Sequence, residues 1–356
     1  MALFKFLKKK DTKIPRGFHE ITIKQVIRLT ELSVQIVLDI PEDLKQTFHF
    51  VPGQYINFIV NTQGEDHRRS YSICSGSNED LSIAVKEMDK GKVSTWFNRE
   101  AQAGKVILCS APEGQFILKD EHKKVIGFSG GSGITPILSI AKKIQETGRE
   151  MELFYGNYDL KAMIFRDEID ALSQVKPHYI FSDESTGDYK KGLMDAEMVA
   201  ALIKENIDIL HADAFFLCGP IGMIKAAEAQ LELFGVPKSK IKKELFSAPD
   251  TGKDAVTTGD SKEMSSQVTV ILEGETIHLD YKPKGKSIID SLNQKGYDPP
   301  YSCRGGVCST CKSKILEGSA TMKINYSLTD EEIAEGYVLS CQAVPTSEKL
   351  TITFDV

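Results

Sequence analysis

Four cysteines near one end of the chain carry its clearest chemistry. Cys303, Cys308 and Cys311 stand as C-x4-C-x2-C, and 29 residues then separate Cys311 from Cys341. A two-iron, two-sulfide cluster needs four thiolates, and one tight loop can supply three of them. Arg304, Gly305 and Gly306 lie inside that loop. The two glycines let the backbone pass close to a cluster and aim N–H groups at its sulfurs, which offsets its negative charge. Four thiolates also suit zinc, but zinc ribbons pair two C-x2-C knuckles and one is present here. Cys74 and Cys109 read as small buried apolar residues. Seven cysteines, with four crowded at one end, do not look like a secreted disulfide framework. A reducing compartment, the cytoplasm, is expected.

A second set of residues suits phosphates and flat rings. In Arg69-Ser70-Tyr71-Ser72, just before an expected strand, the guanidinium can grip a pyrophosphate as a bidentate donor. Tyr71 can lie against an isoalloxazine ring, with Ser72 hydrogen bonding to it. Gly91-Lys92-Val93-Ser94 opens a helix whose free N–H groups and dipole suit another phosphate contact. Gly130-Gly131-Ser132-Gly133-Ile134-Thr135-Pro136 follows a strand and opens a helix, which makes an anion cradle. It is not the G-x-G-x-x-G of dehydrogenases, because Pro136 replaces the third glycine. Cys218-Gly219-Pro220 ends a later strand, at the carboxyl edge where open α/β sheets bind ligands.

These motifs need three kinds of scaffold. From Phe18 to Leu118, short strand-like segments such as 34–40, 55–60, 81–85 and 105–109 alternate with Gly, Pro, Asn and Asp clusters. That pattern predicts an antiparallel β-barrel over 18–120. From 121 to 247, apolar segments at 125–129, 152–156, 178–182 and 214–218 read as strands buried on both faces and alternate with helical stretches. One helix, 137–147, should end at Gly148. Such alternation predicts a parallel α/β domain. Residues 248–266, poor in large apolar side chains, read as a flexible linker. Beyond it, alternation at 268–272 and 277–281 predicts a hairpin, Ser287 caps a helix, and Thr329 with Glu332 forms a capping box. Residues 1–17 read as a basic, frayed tail.

The cysteine spacing and its hairpin, helix and cluster loop resemble plant-type [2Fe-2S] ferredoxins of the β-grasp fold over 267–356. R-x-Y-S, G-x-x-S, G-x-G-x-x-P and C-G-P, in that order, resemble the ferredoxin-NADP⁺ reductase superfamily over about 18–246. The whole order is similar to oxygenase reductases of the phenylacetyl-CoA epoxidase type. The resemblance implies that Arg69, Tyr71, Ser72, Gly91, Val93 and Ser94, with Ser70 in the same run, hold the flavin. It implies that Gly131, Ser132, Gly133, Thr135, Cys218, Gly219 and Pro220 hold the nicotinamide cofactor, with Ser72 and Cys218 shaping the catalytic pocket. The G-x-x-S helix start favours FAD, whereas related phthalate-dioxygenase-type reductases use FMN in the same domain order. The implied activity is electron transfer from NADH or NADPH through flavin and cluster to an oxygenase or other redox protein. A free-standing ferredoxin or flavodoxin reductase, and a non-catalytic scaffold with a structural metal, are the competing readings.

Composition agrees with this reading. The chain has 356 residues, 41% hydrophobic and 26% charged, and a net charge of −6. This argues against nucleic acid as a main partner, which needs a concentrated basic face. No run of about 18 apolar residues exists to span a membrane. Asp183, with Glu184 after it, stands where NADPH-binding relatives offer an arginine, and a carboxylate suits a ribose diol better than a phosphate. NADH is therefore expected over NADPH, with Lys190 and Lys191 as the counterweight.

Overall fold

The computed structural model describes residues 14–183, 189–246, 264–282 and 286–355. Most of the expected linker, 248–263, and most of the expected basic tail, 1–13, lie outside the described residues, as does Glu184.

The first region is one antiparallel sheet built from β1 (Phe18–Thr30), β2 (Ser33–Asp39), β3 (Tyr55–Thr62), β4 (Glu65–Ser72), β5 (Ser82–Lys86) and β6 (Val106–Ser110), in the order β4-β3-β6-β1-β2-β5. An antiparallel bridge between Ile73 and Ile83 joins its two edges and closes the barrel. Alternating side chains such as Ile21, Ile23, Ile36 and Phe58 fill the interior. Helix α1 (Lys92–Arg99) plugs it with Val93 and Phe97, one turn apart on the same face. The Arg69–Ser72 run does not precede a strand, as its sequence suggested; it is the second half of β4. Alternation is weak there because only Ser72 of that strand is fully buried.

The second region is a six-stranded parallel sheet with helices on both faces. Its strands are β7 (Lys124–Gly130), β8 (Glu150–Asn157), β9 (Val175–Phe181), β10 (Lys190–Lys191), β11 (Ala214–Cys218) and β12 (Ile241–Glu244), in the order β10-β9-β8-β7-β11-β12. The chain reverses its direction of travel between β7 and β11, so their carboxyl ends form the switch point where such sheets bind ligands. Helix α2 (Ile134–Thr147) covers one face and ends at Gly148, at φ 63°. The short α3 (Arg166–Asp170) lies on the same side, while α4 (Ala196–Glu205) and α5 (Ile221–Leu233) cover the other. β9 departs from the expected two-sided burial: His178 and Tyr179 are half-buried, because only the two-residue β10 lies outside that strand. The core under α2 also takes in Cys74, Ala84, Phe116 and Leu118 of the barrel, so barrel and α/β domain share one interior.

The third region pairs β13 (Ser266–Leu272) with β14 (Glu275–Tyr281) as the expected hairpin. Ser266, the last residue of the expected linker, is already in β13 and buried. Asp355 accepts the amides of Glu273 and Gly274 at 2.7 Å each and clasps the turn. β19 (Lys349–Thr353) inserts parallel beside β13, and the sheet continues through β15 (Lys312–Glu317) to β17 (Tyr337–Leu339). β16 (Ala320–Met322) and β18 (Ala343–Pro345) form a small side sheet. Helix α6 (Ile288–Gln294) carries a capping box from Ser287 and Asp290, and α7 (Asp330–Ala334) one from Thr329 and Glu332. The described core of this region draws on no residue from the other two.

Candidate functional site

The cluster loop runs between α6 and β15, and Cys341 arrives just after β17. Cys308, Cys311 and Cys341 are buried and Cys303 half-buried. Arg304, Gly306 and Ser309 take positive φ, at 55°, 75° and 47°, which curls the loop tightly. A Cβ on Gly306 would press on the Ile324 carbonyl at 2.9 Å, so glycine permits that approach. The amide of Gly305 points at Cys303 Sγ at 3.3 Å, and that of Cys303 at Cys308 Sγ at 3.4 Å. The Cys308 thiol and the amides of Gly305, Val307 and Cys308 hold Cys303 down, to about 6. The thiols pair two and two, Cys303 with Cys308 and Cys311 with Cys341. Among the described residues, no three metal-ligating side chains converge on one point. This donor set fits two irons with two thiolates each rather than a single zinc.

Strand β4 organises the rest, because its alternating side chains serve different neighbours. On one row, Tyr71 sets its ring edge-on to Phe97, with centroids 5.3 Å apart, and packs against Phe58. Burial pushes its phenol well up. Arg69, on the same row, is exposed; its guanidinium bonds the Arg68 carbonyl at 2.7 Å and makes no ion pair among the described residues. That leaves a cation free for a phosphate. The start of α1 has no side-chain cap. Val93 there is buried in the barrel core, and Ser94 Oγ is occupied locally, accepting from the Met88 amide at 3.1 Å and donating to the Gly91 carbonyl at 3.2 Å. Gly91, Val93 and Ser94 can therefore meet a flavin phosphate only through backbone N–H groups.

The other row of β4 is Arg68, Ser70 and Ser72, and it faces the neighbouring domains. Ser72 Oγ donates to Glu244 Oε2 at 2.9 Å. Glu244 ends β12 and stands in register with Cys218, which in turn stands beside Ser129 of β7. Burial raises the Glu244 carboxyl to about 8 and, with Glu244 near, pushes the Cys218 thiol well up. Ser70 Oγ donates to Asn57 Oδ1 at 2.7 Å and bonds Ser302 Oγ at 2.8 Å, so its hydroxyl is engaged across the seam with the cluster region. Arg68 reaches Asp298 in that region. Sequence reasoning missed Glu244, Tyr55, Asn57 and Arg68. None sits in a local motif; their roles arise only when the strand ends converge.

The nicotinamide cradle is bare backbone. A Cβ on Gly130 would meet Pro220 Cδ at 2.5 Å, one on Gly133 the Cys218 carbonyl oxygen at 2.2 Å, and one on Gly219 the Gly130 amide at 2.7 Å. The two turns at the switch point thus touch main chain to main chain. Thr135 Oγ1 donates to the Ser132 carbonyl at 3.1 Å and ties the cradle to α2. A cleft of ≈ 590 Å³ opens there, lined by Gly130, Gly131, Asn157, Tyr158, Ser182 and Pro220 among others. Asp183 sits at its edge: its amide bonds the Tyr158 carbonyl at 3.0 Å, and its carboxylate engages the Tyr158 hydroxyl. Lys190 is held by Glu205 at 2.6 Å.

Comparison with known proteins agrees with this layout. Family models match in chain order: an oxidoreductase FAD-binding domain at 20–117, an oxidoreductase NAD-binding domain at 128–229 and a 2Fe-2S iron-sulfur cluster binding domain at 270–346. The chain is similar to a component of the 1,2-phenylacetyl-CoA epoxidase of Escherichia coli K12, at 34% identity over 95% of this chain and 98% of the relative. It is also similar to the ferredoxin reductase component of 3-ketosteroid-9-alpha-monooxygenase from Rhodococcus rhodochrous, at 29% identity over 96% and 99%. Phthalate dioxygenase reductase shares the fold, with a TM-score of 0.59 and 24% identity over 95% of this chain and 98% of that one. With its three domains in this order and its likeness to the epoxidase component over nearly the full length of both, the chain belongs to the FAD-, NAD(P)- and [2Fe-2S]-binding oxygenase reductases of the ferredoxin-NADP⁺ reductase superfamily.

Proposed function

We propose that this chain takes electrons from NADH and delivers them singly to an oxygenase component, with the residues around β4 holding each redox group in place. The carrying observation is β4 itself: Arg69 presents an exposed guanidinium on the row it shares with Tyr71, Ser72 meets Glu244 of the α/β domain, and Ser70 and Arg68 meet the cluster region. FAD, when bound, supplies the conversion of a two-electron hydride into single electrons that the cluster can carry. Arg69 pairs with its pyrophosphate, Tyr71 packs against the ring system, and the amides at Gly91, Val93 and Ser94 meet phosphate. Gly131, Ser132, Gly133, Thr135, Gly219 and Pro220 seat the dinucleotide by close backbone approach. Cys218, buried at the end of β11, stays a neutral thiol. Glu244, its carboxyl raised to about 8 by burial, accepts from the Ser72 hydroxyl and orients it. Cys303, Cys308, Cys311 and Cys341 hold the cluster.

Among the described residues no helix is long and apolar enough to cross a membrane, and all seven cysteines are free. The free thiols support a reducing, cytoplasmic setting. The relatives are by name parts of an epoxidase and of monooxygenases, which favours an oxygenase as acceptor over a free-standing ferredoxin. The test is Cys308→Ser. The variant should lose cluster absorption, keep FAD, and still oxidise NADH with ferricyanide, while cytochrome c reduction falls sharply. Loss of both activities in a folded, FAD-loaded variant would refute the separation.

A further inference from the structure

The region that carries the cluster meets the barrel at a polar seam, and the seam grips the cluster loop at both ends. At its start, Arg68 binds Asp298 through both carboxylate oxygens, at 2.7 and 2.6 Å, and its guanidinium lies over the Tyr301 ring, 4.5 Å from the centroid. The Arg68 side chain is only 9% exposed, so this pair is shielded from solvent on the arginine side. Ser302, next in sequence, bonds Ser70. At the loop's far end, the Tyr55 hydroxyl donates to the Cys308 carbonyl and lies 3.2 Å from Thr310 Oγ1. Asn57 Nδ2 reaches Thr310 at 3.5 Å and Glu113 at 3.2 Å.

Strand register links this grip to the flavin side. Tyr55 of β3 stands opposite Ser72, and Asn57 opposite Ser70. Arg68 and Tyr71 lie three residues apart on β4. No described apolar cluster spans the seam; hydrogen bonds, the Arg68–Asp298 ion pair and the Arg68–Tyr301 ring contact cross it. We propose that Arg68 and Tyr55 are positioning residues for electron transfer from flavin to cluster, acting through the two ends of the cluster loop.

This rests on the reading that FAD lies against Tyr71. Loss of its hydride to bound FAD would oxidise NADH and bring two electrons to the flavin. Each transfer across the seam then oxidises the flavin by one electron and reduces one ferric iron to ferrous, which is reoxidised when the acceptor protein takes that electron. After two such transfers the flavin is fully oxidised and its proton has gone to solvent.

The experiment uses the full-length holoprotein in anaerobic stopped flow with NADH, following flavin bleaching and cluster reduction separately. Arg68→Glu should leave flavin reduction within about twofold of wild type and slow cluster reduction about tenfold or more, since small misplacements cost that much. Tyr55→Phe, which removes one hydroxyl, should slow only the cluster phase, by about threefold on the strength of one lost hydrogen bond. Arg68→Asp combined with Asp298→Arg should recover most of the lost rate. Small-angle scattering of oxidised Arg68→Glu should show a larger radius of gyration, which the exchanged pair reverses. An unchanged cluster phase in Arg68→Glu, with fast flavin reduction, overturns the positioning role. Slowed flavin bleaching in both Arg68→Glu and Tyr55→Phe overturns it too, and places the fault in the flavin assignment instead.

Discussion

Glu244 is the most perturbed carboxyl of the site. Its acid form is favoured in the folded protein up to about pH 8, whereas in the unfolded chain it ionises near the ordinary glutamate value. Below that ordinary value both states are protonated and the group is neutral to stability. As pH rises toward 8, the unfolded chain ionises freely and the folded state lags, so stability is lost across this window. Glu244→Gln should therefore match wild type near pH 4 and exceed it above pH 8, by on the order of a few kcal/mol, read from urea unfolding at several pH values. A difference that does not vary with pH would show that Glu244 ionises freely. At Asp183 the expectation concerns specificity. Wild type should favour NADH in kcat/KM, and Asp183→Arg should move the ratio toward NADPH about tenfold, ~1.4 kcal/mol. Lys190 is engaged by Glu205, which removes one of the two cations that could have offset Asp183. A wild type that prefers NADPH would overturn the assignment.

Among elements, the turns after β7 and β11 tolerate little. Gly133→Ala drives a methyl to 2.2 Å from a backbone carbonyl that cannot swing away. It should raise KM for NADH about tenfold or more through displaced backbone, with FAD and cluster content unchanged in absorption spectra; an unaltered KM would mean the two turns can part without cost. The same scale shows what the sequence made legible. The cap at Ser287, the capping box at Thr329 and the stop at Gly148 are local chemistry, and each is found where its residues predict it. The position of Arg69–Ser72 within β4 was missed because that strand is only partly buried and so lacks a period-two pattern. Glu244 and Tyr55 were illegible for a different reason. Each acts on a partner far away in sequence, Ser72 and Cys308 respectively, and no spacing within one segment encodes such a meeting.

At the level of the whole molecule, the interiors are shared unequally. Barrel and α/β domain have a core in common, whereas the described core of the cluster region is its own. Flavin absorption and α/β unfolding should therefore be lost in one cooperative step, with cluster absorption lost in a separate step at a different temperature. Calorimetry of the holoprotein with parallel absorbance at both chromophores checks this, and a single coincident transition would contradict it.

The shared core also bears on how such chains can be inherited and rearranged. A recombination break near residue 120 would tear Phe116 and Leu118 away from the α2 side of the sheet and leave two greasy, unsealed fragments. A break between 246 and 266 severs no apolar core among the described residues and gives up polar contacts such as Arg68–Asp298 and Ser70–Ser302. The cluster-bearing part is thus a portable cassette, and the flavin and nicotinamide parts travel as one.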